Sequence, residues 1–166
     1  MKEILTELAR YNLWANETLC NTILSLPEEE WNKPMISSFP GLFPTMLHMM
    51  SAESIWWQRL KLVENVQPPA ENYDKSFQEL INDLINLDKT WKEWVENASP
   101  HALSHVFYYR NSKRQEFRQP VYQVLIHLFN HNTYHRGQLV NLIRQAGYTT
   151  IPQTDFIVWS RKKAKK

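Results

Sequence analysis

Four stretches of this chain, each roughly twenty residues or longer, repeat apolar side chains three and four positions apart, and that period constrains the fold more than any other feature. In the first, from Lys2 to Leu26, the side chains of Ile4, Leu8, Tyr11, Ala15, Leu19, Thr22 and Leu26 share one helical face, and Pro27 closes it. Glu28-Glu29-Glu30 begins a short extra turn, and Pro34, Pro40 and Gly41 mark a loop. The second stretch opens near Pro44, a residue suited to the first helical position, and carries Met49, Ala52, Trp56, Leu60 and Val63 on one side. A linker with Pro68-Pro69 occupies Asn65 to Asn72.

The third stretch runs from Asp74 to Asn97, with Asp74 and Ser76 both suited to cap it. Its stripe is Phe77, Leu80, Leu84, Leu87, Trp91, Trp94 and Val95, and Pro100 ends it. Val106–Tyr109 and Gln115–Arg118 then flank the polar run Arg110 to Arg114, which predicts a short β-hairpin. The fourth stretch has Pro120 at its start and Gly147 just past its end. The pattern predicts an all-α four-helix bundle with a hairpin between helices 3 and 4, a single domain over residues 1–160. Phe156, Ile157, Val158 and Trp159 are expected to pack back on the bundle, and the basic residues 161–166 to form a disordered tail.

Glycine scarcity removes whole classes of function. Gly41, Gly137 and Gly147 are the only three, so no dinucleotide fingerprint, phosphate-binding loop or nucleophile elbow can be built. Cys20 is the only cysteine, which rules out an internal disulfide and any paired-cysteine zinc or redox motif. No run approaches the ~20 apolar residues of a membrane span, and the charged start lacks a signal-peptide core. The expectation is a cytoplasmic protein without membrane association. Net charge is +2, but five positive charges lie in the last six residues and the remainder is net negative. No basic stripe continues into the body, so nucleic acid is not an expected partner.

The fourth stretch carries the chemistry. Its inward seam should be Val121, Val124, Leu128, His131, His135, Gln138 or Leu139, and Leu142, so two imidazoles stand where a plain bundle places Leu or Val. Residues four apart are offset by about 40° and one turn of rise, so both rings can reach one point beside the helix. His127 extends the row by a turn, but a drift of about 80° end to end keeps all three from converging. Two buried imidazoles without partners would cost roughly 1–3 kcal/mol each, which a shared metal would offset. The zinc-protease motif is absent, because Asn132 stands where its general-base Glu would be.

A third ligand must come from another helix, and the second offers His48, with the small residues Ser51 and Ala52 one turn on. An edge-of-core role for His48 is the alternative. His101 and His105 are also four apart but belong to the segment after the third helix and read as surface or hairpin residues. Glu53 is turned away from His48 by its spacing, which favours a structural or supporting role. Gln138 could reach a bound water or make a plain inter-helix hydrogen bond, the second being the simpler. Arg136 and Gly137 read as structural, Gly137 by allowing a close helix approach.

His131-Asn132-Thr133-Tyr134-His135-Arg136-Gly137-Gln138, with Leu125 to Asn130 before it, resembles the signature of the DinB/YfiT-like metalloenzyme family. The resemblance extends to Tyr11 to Asn16, to His48 with Ala52-Glu53 and Trp56, and to Thr154-Asp155-Phe156. It implies an up-down-down-up bundle, a homodimer, and one divalent metal ion held by His48, His131 and His135, with His127 outside the ligand set. Three imidazoles leave open coordination positions, the pattern of a catalytic site, and suit zinc, nickel, iron, copper or manganese. The family's assigned activities imply a transferase that joins a low-molecular-weight thiol, such as bacillithiol or mycothiol, to a small-molecule electrophile. A metal-dependent hydrolase that activates water and a non-catalytic metal-binding stress-response dimer are the alternatives. No residue offers itself as a general base.

Overall fold

The computed structural model describes residues 1–163. Four long helices form the bundle: α1 (Lys2–Leu24), α3 (Leu42–Leu60), α4 (Phe77–Asn97) and α6 (Val121–Gln145). Shorter elements join them: α2 (Glu28–Trp31), α5 (Pro100–Ser104), strands β1 (Val106–Arg110) and β2 (Glu116–Pro120), and α7 (Phe156–Lys163). The principal packing runs in a ring, with α1 and α3 each lying against both α4 and α6. Consecutive long helices α1 and α3 therefore sit across a diagonal, as do α4 and α6. This is the four-helix bundle expected from the period, and the strands pair antiparallel with Tyr108 opposite Arg118.

Helix boundaries follow local chemistry. Ser76 caps α4 through a reciprocal box in which its hydroxyl accepts from the Glu79 N–H while the Glu79 carboxylate accepts from the Ser76 N–H, so α4 starts three residues after Asp74. The second long helix opens at Leu42, two residues before Pro44, because Gly41 adopts φ +132° and turns the chain into the first turn. That helix ends at Leu60, short of Val63. The first ends at Leu24 rather than Leu26. Gly147, at φ +90°, follows the end of α6 as expected.

The seam of α1 is rotated from its apolar period. Ile4 is 66% exposed, and the buried side is Leu5, Ala9, Asn12, Ala15, Asn16, Leu19 and Ile23. Two asparagines thus face the core. They belong to a polar layer that lies between the two larger apolar clusters of the core. One is built on Leu19, Ile23, Met46, Leu80 and Leu142, and the other on Leu5, Trp91, Val95, Val124 and Leu128. The end of the chain packs as expected: Tyr11 meets Phe156 and Trp159 edge-on at 5.2 and 6.1 Å and donates to the Thr154 carbonyl at 2.7 Å. α7 runs through Lys163, so the first three residues of the expected tail are helical, and the other three lie outside the described residues.

Candidate metal centre

The i, i+4 spacing on α6 brings His131 and His135 together, and the packing of α3 against α6 adds His48. His131 Nε2 lies 3.1 Å from His48 Nε2 and 3.1 Å from His135 Nε2. One potential ligand atom from each of the three falls within 4.8 Å of the others, and no carboxylate joins this group among the described residues. Burial and the mutual repulsion of the charged forms hold the His131 imidazole down at about 4, and burial first of all lowers His48 and His135 as well. All three are therefore neutral at pH 7, the form that donates a lone pair to a metal.

Hydrogen bonding alone does not satisfy this cluster. A neutral imidazole nitrogen carries either one hydrogen or one lone pair, yet His131 Nε2 faces two other ring nitrogens at equal distance. Gln138 settles the tautomer of His135: its Nε2 donates to Ser38 Oγ at 3.3 Å, which leaves Oε1 to accept from His135 Nδ1–H at 2.7 Å. His135 Nε2 is thereby a lone pair aimed at the other rings. A divalent ion fits these donors, and His48, His131 and His135 are the residues that would hold it. Gln138 thus orients a ligand on its own helix and reaches the loop before α3, rather than bridging two helices.

That loop closes one side of the site. Phe39 stacks on the His48 ring at 4.1 Å and tilts toward His135 at 5.8 Å, an apolar wall that the sequence pattern does not reveal. Ser51 faces elsewhere, accepting from the Ala70 N–H, so it opens no space above His48. His127 is exposed; its ring sits 5.9 Å from His131 and meets Trp56 edge-on at 5.6 Å, outside the cluster. His101 and His105 are exposed on and beside α5, away from the site, as expected for surface residues.

Behind the histidines stands the polar layer. Arg136, one position after His135, donates through Nη1 to both Asn12 Oδ1 and Asn16 Oδ1 at 2.8 Å, and through Nη2 to Thr133 Oγ1. The two asparagine amides pass the interaction on, donating to the two carboxylate oxygens of Asp88 at 2.6 and 2.8 Å. Asn132, next to His131, donates to Glu53 Oε1. Complete burial pushes the Glu53 carboxyl well up, with the neighbouring Asp88 charge adding to it, and the same burial raises Asp88 to about 6. The supporting role expected of Glu53 is therefore met inside the core. Asn12, Asn16 and Asp88 were missed as site residues, although polar side chains at apolar-period positions are the signal that could have exposed them. Arg136 is structural as expected, but Gly137 is not a close-approach point, since an added Cβ meets nothing within 4 Å.

Comparison with known proteins agrees with this architecture. The chain is 26% identical to Protein DinB of Bacillus subtilis (strain 168) over 165 residues, covering 94% of this chain and 93% of that protein. Its fold is similar, with a TM-score of 0.68 at 13% identity, to YfiT from Bacillus subtilis, described as a probable metal-dependent hydrolase with an unusual four-helix bundle topology. That match covers 90% of this chain and 91% of YfiT. A family model described as the DinB family matches residues 1–163, the whole described bundle with its three-histidine cluster, and the chain belongs to that family.

Proposed function

We propose that this protein is a divalent-metal enzyme whose three histidines hold the ion while a small thiol supplies the nucleophile. One observation carries the metal reading: three neutral imidazole nitrogens converge in a cluster that their own hydrogen bonds cannot satisfy. A divalent ion with open positions would lower the pKa of a coordinated thiol or water. The thiol is favoured because, among the described residues, no carboxylate joins the cluster as an internal base. A thiol, at about 8.5, needs little help to ionise, whereas water at about 15.7 needs a great deal. Cys20 is not that thiol, since burial raises its pKa and keeps it inside the core. Within the chain, Gln138 orients His135, and Phe39 covers one face of the His48 ring.

Water as the nucleophile is the second reading, favoured by the description of YfiT as a probable metal-dependent hydrolase. A metal-binding homodimer without turnover is the third. Assay of metal-loaded protein with a panel of small thiols and an aryl chloride or epoxide separates them. Metal-dependent consumption of the electrophile only when thiol is present supports the transferase. Turnover of ester or amide substrates in buffer alone supports the hydrolase, and silence in both leaves the binding role.

A further inference from the structure

Away from the histidines, the hairpin and the turn after α3 border an open cleft of about 770 Å³ that Arg59 lines. Arg59 stands eleven positions after His48, three helical turns on; it therefore lies about 16 Å along α3 and only about 20° around it. Its guanidinium rests against two rings, with Cζ 4.6 Å from the Trp56 centroid and 5.2 Å from the Tyr109 centroid. Both rings lie to one side of it, edge-to-face with each other at 4.9 Å, and hold the group without covering both of its faces. No carboxylate pairs with it among the described residues, and its Nε is buried without an acceptor. A half-buried guanidinium with no acidic partner is prepared for a planar or tetrahedral oxyanion.

The rest of the cleft agrees. Arg110 is consumed by Glu116 at 2.6 Å, which leaves Arg59 and Arg114 against Glu64 and a positive balance. Leu62, Val63 and Val66 supply an apolar wall. The two non-glycine residues at positive φ among those described, Leu62 at 56° and Arg114 at 60°, both line this cleft, and such backbone positions concentrate at ligand sites. Contact with the two rings restrains the arginine, which lowers the entropic cost of binding.

We propose that this cleft binds a small organic anion, a carboxylate or phosphate ester with an apolar body, through the unpaired guanidinium of Arg59. The site stands independently of the metal reading, and its place on the His48 face of α3 would let one elongated molecule reach both.

The test uses protein labelled at the arginine Nε and stripped of metal by chelation, so that no anion is held at the histidines. Benzoate and phenyl phosphate are titrated beside benzamide, a neutral counterpart of similar shape. The expected result is a shift of the Arg59 Nε–H signal with either anion, at a dissociation constant on the order of 1 mM or below, weakening as salt is raised. Benzamide leaves the signal in place. Arg59→Lys, which keeps the charge but loses the fork, weakens binding at least about tenfold, and Arg59→Ala abolishes it with the helical spectrum retained. The proposal is overturned if benzamide binds as well as the anions, or if Arg59→Lys binds them undiminished. It also fails if neither anion moves the signal up to saturating concentration, or if only anionic phospholipid vesicles do.

Discussion

Gln138 Oε1 accepts from His135 Nδ1–H at 2.7 Å, and this single bond decides which nitrogen of His135 faces the cluster. A residue one turn further along the same helix therefore sets the donor character of a candidate ligand. Replacing Gln138 by Leu leaves α6 intact but frees the ring. Metal affinity should fall about 10–100-fold, as for other lost partners of ligating histidines, with unchanged helical circular dichroism. Calorimetric titration of the stripped variant with zinc and nickel measures it; affinity equal to the parent would show that the tautomer is set elsewhere.

The ligands themselves should behave as a set. Purified protein is expected to carry about one divalent ion per chain, and His48→Ala, His131→Ala and His135→Ala should each lose it while remaining helical. His127→Ala, one turn earlier and outside the cluster, should retain it. Elemental analysis after dialysis decides the matter: metal kept by the three variants would refute the assignment.

The polar layer should show the asymmetry of buried charge. Arg136 is the cation that compensates Asp88 through Asn12 and Asn16, so Arg136→Ala leaves a buried carboxylate without its counter-charge. The expected loss is about 3–5 kcal/mol in urea unfolding. Adding Asp88→Asn to that variant should recover part of the loss, because the uncompensated charge is then gone. A double variant less stable than Arg136→Ala would contradict the compensation.

Gly41 should tolerate no side chain. At φ +132°, a Cβ there would lie 2.7 Å from the Lys33 carbonyl oxygen, in the loop that carries Ser38 and Phe39 over the histidines. Gly41→Ala should cost about 1–3 kcal/mol and lower metal affinity together with stability. Gly137→Ala, with open space around it, should be neutral or slightly stabilising as a better helix former. Thermal melts of the two variants side by side make the comparison.

Acid should destabilise the metal-free protein through its histidines. In the unfolded chain an imidazole takes up a proton near 6.5, whereas folded His131 waits until about 4. Between those values the unfolded state binds more protons, so this contribution to stability is lost as pH falls from about 6.5 toward 4. Asp88, raised to about 6, works in the opposite sense over part of that range but is common to parent and variant. Metal-free His131→Gln should therefore lose less stability than the parent between pH 6.5 and pH 4.5 in urea titrations. Parallel pH curves for the two proteins would exclude the effect.

The sequence by itself determined the four long helices, the hairpin, the absence of glycine-built nucleotide sites, and the pairing of His131 with His135. All of these rest on local physics: a helix of fixed period puts residues four apart on one face, and proline and glycine punctuate it. His48 was open between a third ligand and an edge-of-core residue, and the family resemblance chose the ligand. Only the tertiary structure decided how the helices are rotated against each other, and that rotation turned Ile4 outward and Asn12 and Asn16 inward. It also joined Asp88 of α4, Glu53 of α3 and Arg136 of α6 into one layer, laid Phe39 on His48, and set Arg59 against Trp56 and Tyr109 without an acidic partner. These contacts join residues far apart in the chain, and the hydrophobic period constrains them only loosely. Which polar side chain meets which is settled by packing and by the need of every buried donor and acceptor for a partner.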